Sequence, residues 1–138
     1  MNNHKNVRSV LMLSPQTITN GAIATANLDC KGYGDTEILI TVGAATAVPA
    51  SIKVFESDDT VVTNFAELTA LSIGATMAAD QHVRFFVDRS NGARKRYLRV
   101  AITAGAGSSI ISGHGLLDRA SVNPSGTAGY GSNVAREI

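Results

Sequence analysis

Two stretches of strict two-residue alternation lie close together and constrain the fold more than any other feature of the chain. In "VRFFVD", Val83, Phe85 and Val87 fall on one side, against Arg84, Phe86 and Asp88, with His82 before them on that second side. In "YLRVAIT", Leu98, Val100 and Ile102 alternate with Tyr97, Arg99, Ala101 and Thr103. Successive side chains of a strand point to opposite faces, so each stretch reads as a strand with one buried face. The segment "RSNGARKR" joins them, and Asn91-Gly92 is a strong turn signal because both residues tolerate positive φ. The pair reads as an antiparallel hairpin whose long loop projects as a tip.

Other strands follow the same rule. "TEILITV" puts Ile38, Ile40 and Val42 on one face. "SIKVFES" puts Ile52 and Val54 inward and Lys53 outward. "SSIISGHGLLD" is a late strand in which Gly113 and Gly115 permit a bend or bulge. "VRSVLML" and "GAIATANLD" add two near the start, separated by Pro15 and Asn20-Gly21. With no Trp, four Phe and three Tyr, the apolar share rests on small and β-branched side chains, which suit pleated packing. Seven or so short strands between turn residues predict an all-β chain: an antiparallel β-sandwich, jelly-roll-like. "NFAELTALS" departs from the pattern. Phe65, Leu68 and Leu71 are three apart and Asn64 with Glu67 resembles a capping box, so it reads as one or two helical turns or an irregular strand.

At 138 residues there is room for one domain, which at this size buries about two thirds of its unfolded surface. That domain is assigned to residues 1–119. From Ala120 the sequence "ASVNPSGTAGYGSNVAREI" turns to Ser, Gly, Asn and Pro, with Tyr130 its one large aromatic and no sustained period. Such a composition buries too little apolar surface to offset its ordering entropy. Residues 120–138 therefore read as an extended or flexible C-terminal arm, roughly 60 Å long if fully extended.

Groupings that carry chemistry are not found. His4, His82 and His114 lack zinc-ligand spacing. The carboxylates of "ESDD" (Glu56, Asp58, Asp59) lack the glycine and distal Glu of a calcium loop and read as a solvated turn. "TAGAGSSIISGHG" lacks the Gly-Lys-Ser/Thr ending of a phosphate loop, and no G-x-S-x-G elbow is present. The expectation is a non-enzyme without cofactor or metal. Cys30 is the single cysteine, so no intrachain disulfide can form, and it reads as a small buried residue. The apolar run Val10–Leu13 is too short for a signal-peptide core, and no stretch approaches the ~20 apolar residues of a membrane span. A soluble, unexported protein without a membrane partner is expected.

Charge raises the functional question. Twelve Lys and Arg nearly balance eleven Asp and Glu, for a formal net charge of +1, yet Arg89, Arg94, Lys95, Arg96 and Arg99 crowd one segment. A nucleic-acid surface calls for a basic surplus across the domain and stacking aromatics, whereas here only Tyr97 lies nearby, so no nucleic-acid partner is expected. Two readings remain. The segment is a solvated tip that discourages edge pairing, or it docks on an acidic protein surface, where Arg grips carboxylates in bidentate fashion.

The segments "NVRSVLMLSPQTIT", "VFESDD", "RFFVD…RKRYLRVAITAG" and "HGLLDRA" resemble small structural proteins of tailed bacteriophages, notably capsid cement or decoration proteins. The resemblance covers most of residues 5–120 as an order of elements and carries no catalytic signature. It implies a β-sandwich made in the host cytoplasm that binds the outside of an assembled icosahedral shell. There it would stabilise contacts between major capsid protein subunits, as a homo-oligomer, a trimer before a dimer. No family site transfers residue by residue. The candidate capsid contacts come from charge and composition: Arg89, Arg94, Lys95 and Arg96 on the loop, Tyr130 and Arg136 on the arm. Two other classes compete. A head–tail connector or tail component would build rings or tubes. A carbohydrate-binding sandwich would display exposed aromatics, and this chain has no Trp.

Overall fold

Alternating strands with one apolar face must bury that face against a second layer, and the chain does so with two antiparallel sheets. The computed structural model describes residues 7–74, 77–89 and 93–120, with residues 119 and 120 described by their backbone alone. Its strands are β1 (Arg8–Thr19), β2 (Ala22–Ala24), β3 (Leu28–Asp29), β4 (Tyr33–Ala45), β5 (Ser51–Ser57), β6 (Ala66–Glu67), β7 (Ile73–Gly74), β8 (Gln81–Asp88), β9 (Tyr97–Thr103) and β10 (Ser108–Ala120). The first sheet has the order β1-β10-β4-β8. In the second, β9 and β5 pair centrally, with β2 and β3 on the outer side of β9 and β6 and β7 on the outer side of β5.

If β2 with β3, and β6 with β7, each count as one interrupted strand, every step along the chain except that from β5 to β6 crosses between sheets. That is the jelly-roll form of the sandwich. Both inner faces are apolar. Ile38, Ile40, Val42, Phe85, Val87, Ile111 and Leu117 of the first sheet meet Leu28, Ile52, Val54, Leu98, Val100 and Ile102 of the second, all buried.

The expected hairpin is corrected here. β8 pairs with β4, from Asp88 opposite Asp35 to Gln81 opposite Val42, while β9 lies in the other sheet between β2/β3 and β5. Alternation dictates which face of a strand is buried but not which strand lies beside it. The connection after Asp88 is long enough to cross the ~10 Å between stacked sheets. The two apolar rows therefore face each other across the core instead of sitting side by side. The faces themselves are as expected: Phe85 is 3% exposed and Phe86 60%.

Three local features refine the reading. Pro15 lies within β1, which tolerates it because β1 is an edge strand that, among the described residues, has no strand on its outer side. Register shifts between Leu11 and Leu13 and between Leu13 and Gln16 bulge β1 and bury both Met12 and Leu13. Gly115 serves close packing rather than a bend, since a Cβ there would lie 2.7 Å from Leu28 Cδ2 and 3.1 Å from Met12 Sδ. The "NFAELTALS" segment forms no α-helix. Single 3-10 turns at Val62–Asn64 and Thr69–Leu71 surround the short β6, and Asn64 Nδ2 donates to Asp59 Oδ2 at 2.8 Å instead of capping a helix. The arm expected over 120–138 lies outside the described residues, Ala120 apart.

Replacing Phe85 by Ala is expected to cost ~3–5 kcal/mol through lost burial and a residual cavity. Phe86→Ala, at low protein concentration, should stay within about 0.5 kcal/mol. Urea unfolding of both variants checks the register, and a larger loss from Phe86→Ala would reverse it.

Candidate functional site

The basic segment forms a corner between the sheets, where backbone groups lack a neighbouring strand to bond them. Arg89 follows β8 directly. Its Nη1 donates to the carbonyls of Cys30 and of Tyr33 (3.3 Å for the latter), and its Nη2 donates to the carbonyl of Lys95 at 3.0 Å. One guanidinium thus ties the β3–β4 connection to the entry of β9. The Cys30 N–H completes the tie by donating to the Arg96 carbonyl at 2.9 Å.

The other three arginines also find partners within the chain, and Lys95 does so through its backbone N–H. Arg96 grips Asp29 in a bidentate pair, Nε to Oδ1 at 2.9 Å and Nη2 to Oδ2 at 2.8 Å, and its guanidinium lies over the Tyr97 ring at 4.8 Å. Arg94 approaches Glu56 at 3.6 Å, and the Lys95 N–H donates to the same carboxylate at 3.2 Å. Arg99, on β9, lies over the Phe65 ring at 4.8 Å. The structure brings Arg89, Arg94, Lys95 and Arg96 together, and the three guanidinium groups face the protein's own carbonyls and carboxylates. Tyr130 and Arg136 lie outside the described residues.

The "ESDD" group divides accordingly. Asp58 and Asp59 sit in an exposed turn, where Asp59 accepts from the Val61 N–H at 2.9 Å and from Asn64. Glu56 is 7% exposed, not solvated, because β5 alternation turns it inward behind Ile52 and Val54. That position was a readable signal. A carboxylate on an apolar face needs a cation or N–H groups, since burying it alone is costly.

Electrostatics follow from these pairs. The Arg96 guanidinium, by its hydrogen bonds to Asp29, holds that carboxyl below the usual Asp range. Burial pushes the Cys30 thiol up, consistent with its place as a fully buried residue whose Sγ faces the Leu28 carbonyl. Among the described residues no group of three His, Cys, Asp or Glu is placed to hold a metal ion. No described helix is long and apolar enough to cross a membrane.

A second surface emerges that charge alone does not reveal. On the outer face of the first sheet, one row across the strands reads Phe86, Glu37, Leu116, Ser9. The next reads Arg84, Leu39, His114, Leu11. Leu11 is 54% and Ile110 43% exposed on this face, and Val7, Glu37, Phe86 and Leu116 line a groove in it. Arg84 Nε donates to Glu37 Oε1 across the face, which holds the Glu37 carboxyl below its ordinary range. Sequence reading missed Leu11 because the β1 bulge breaks the alternation just after it.

No protein-family model matches the chain. No curated protein matches it either. Among solved structures it is similar to the SPBc2 prophage-derived protein YomS, with a TM-score of 0.51 and 13% identity over 81% of this chain and 92% of that one. It is also similar to a chain from Bacillus endospore appendages, described as disulfide-linked pili, with a TM-score of 0.51 and 16% identity over 86% and 92% of the two chains. A chain of the infectious bursal disease virus Gx strain aligns with a TM-score of 0.46 and 12% identity, over 80% of this chain and 31% of that chain. At these identities the likeness is one of fold.

The Asp29–Arg96 pair predicts a pH signature. The folded-state pKa of Asp29 lies below its unfolded value, so its stabilisation is fully present above the ordinary Asp range. It is lost as pH falls through the folded value, below about pH 4. Asp29 and Arg96 are 43% and 41% exposed, so solvent screening keeps the contribution of Asp29 at about 1 kcal/mol or less. Asp29→Asn should be less stable than the parent at pH 7, with the gap closing toward pH 2 in denaturant titrations.

Proposed function

We propose that this protein is a non-enzymatic virion structural protein. It binds the outer surface of an assembled icosahedral phage capsid and stabilises contacts between major capsid protein subunits. The observation that carries the reading is the outer face of the first sheet. Leu11, Phe86 and Ile110 are large apolar side chains that the fold leaves exposed there, interleaved with Glu37, Arg84 and His114. Exposed apolar groups gathered on one face mark an interaction surface. The resemblance of the sequence segments to capsid decoration proteins supports the same reading, and so does a fold shared with a prophage-derived protein.

The docking surface in this proposal is the sheet face rather than the basic corner, whose three guanidinium groups already serve internal partners. A protein that engages several shell subunits at once gains avidity from contacts that are individually weak. The expected arm, residues 120–138, would add to that attachment.

A second reading is a subunit of a tail or other tube-forming assembly, favoured by the fold shared with a chain from endospore pili. The disulfide linkage of those pili has no counterpart here, since Cys30 is the single cysteine and is buried.

Co-sedimentation with undecorated shells of the parent phage separates the readings. The parent protein should saturate the shells, and Leu11→Glu combined with Ile110→Glu, folded by circular dichroism, should lower occupancy at least about tenfold, as expected when charge replaces an apolar contact. Failure of the parent protein to bind shells, with rings or tubes in negative stain, would favour the second reading. Full occupancy by the folded double variant would move the docking surface elsewhere.

A further inference from the structure

The two sheets present four edges, and three of them are blunted. β1 carries Pro15 and two register shifts. The outer edges of the second sheet are the short pieces β2 with β3 and β6 with β7, none longer than three residues. Short strands, proline and bulges are three of the devices by which proteins prevent unwanted strand pairing. β8 has none of them. It is eight residues long without glycine or proline and pairs with β4 without a register shift. Among the described residues, no strand pairs with its far side.

We infer that β8 pairs with β8 of a second copy, antiparallel about a two-fold axis at Phe86, joining two first sheets into one continuous sheet. The hydrogen-bonding side is set by Arg89, whose N–H donates to the Gly34 carbonyl on the β4 side at 2.9 Å. In an extended strand these directions alternate, so Arg84 and Phe86 turn their N–H and C=O groups to the outer edge. Two-fold pairing at Phe86 sets the two Phe86 rings opposite each other. It also sets Arg84 of each copy opposite Asp88 of the other.

Complementarity selects this register. Both side chains lie on the outer face with Phe86, and Arg84 is 64% exposed. Centring the axis on Arg84 would oppose two guanidinium groups, and like charges directly opposite are destabilising. Centring it on Phe86 gives two opposite-charge pairs and an aromatic pair, each a favourable cross-strand contact. The 60% exposed Phe86 becomes covered, and the patch of apolar and charged residues on the outer face continues from one copy to the next. An isologous contact of this kind closes at two subunits, so it selects a dimer over the trimer suggested by the sequence resemblance.

The pairing has a complementation test. In equilibrium sedimentation the full chain should be a dimer, and Arg84→Glu and Asp88→Lys should each weaken dimerisation by about tenfold or more, because each turns both cross-strand attractions into repulsions. An equimolar mixture of the two variants should dimerise again. In the mixed pair, the introduced carboxylate of one copy would face the introduced ammonium of the other, and the unaltered Arg84 and Asp88 would face each other. A parent chain that stays monomeric, or a mixture no tighter than either variant alone, would overturn the proposal. Amide exchange of the unmodified protein gives a readout independent of variant folding. Protection of the Arg84 and Phe86 N–H groups should rise with protein concentration. Protection that persists in samples diluted until sedimentation shows the monomer would mean that the chain's own residues cover the edge, and would also overturn it.

Discussion

The guanidinium of Arg89 holds the corner on which the rest of the sandwich depends. A jelly roll crosses between its sheets at nearly every connection, and each crossing leaves backbone carbonyls without a strand to bond them. Arg89 donates to three carbonyls at such a corner, those of Cys30 and Lys95 on two connections and that of Tyr33 at the start of β4. A planar fork with five donors is suited to that task, whereas an ammonium on a flexible stem is not. With β8 and the start of β9 so placed, Arg96 reaches Asp29, Arg94 and the Lys95 N–H meet Glu56, and the core faces of β8 and β9 stand opposed across the sandwich.

Much of this was legible in the sequence. Period-two alternation marked the buried faces of β4, β5, β8 and β9 residue by residue, including the contrast between Phe85 and Phe86. It could not give the neighbours. Alternation concerns a strand and its two faces, and the hairpin expected from Asn91-Gly92 gave way to a crossing that only the packing of two sheets requires. The basic cluster was legible as a cluster but not in its internal contacts, because the carboxylates it meets lie far away in sequence: Arg96 and Asp29 are 67 residues apart, and the Lys95 N–H and Glu56 39. Glu56 was the overlooked clue, an acid in the inward row of Ile52 and Val54. The outer-face site was less legible still, since the bulge in β1 resets the alternation that would have marked Leu11 as exposed.

This division of labour shapes the functional account. A nearly neutral chain gathers five of its twelve basic residues near the corner that closes the fold, and under the proposed function recognition falls to a sheet face of mixed apolar and polar character. That face and the unblunted edge β8 are contiguous through Phe86, so self-pairing and shell binding would draw on adjoining surfaces. Three blunted edges and, among the described residues, one uncovered edge are what a protein needs if it is to pair once and stop.

The central claim is that the basic corner closes the fold and does not dock, and Arg89→Met tests it most directly. The variant keeps the length and apolar character of the side chain but removes every donor. Unfolding free energy should drop by about 3 kcal/mol, since hydrogen bonds from a charged donor are lost and three partly buried carbonyls each lose a donor. Attachment to shells, measured at a temperature where the variant is folded, should be unchanged. Unaltered stability together with lost attachment would show that Arg89 faces a partner, and would contradict the account.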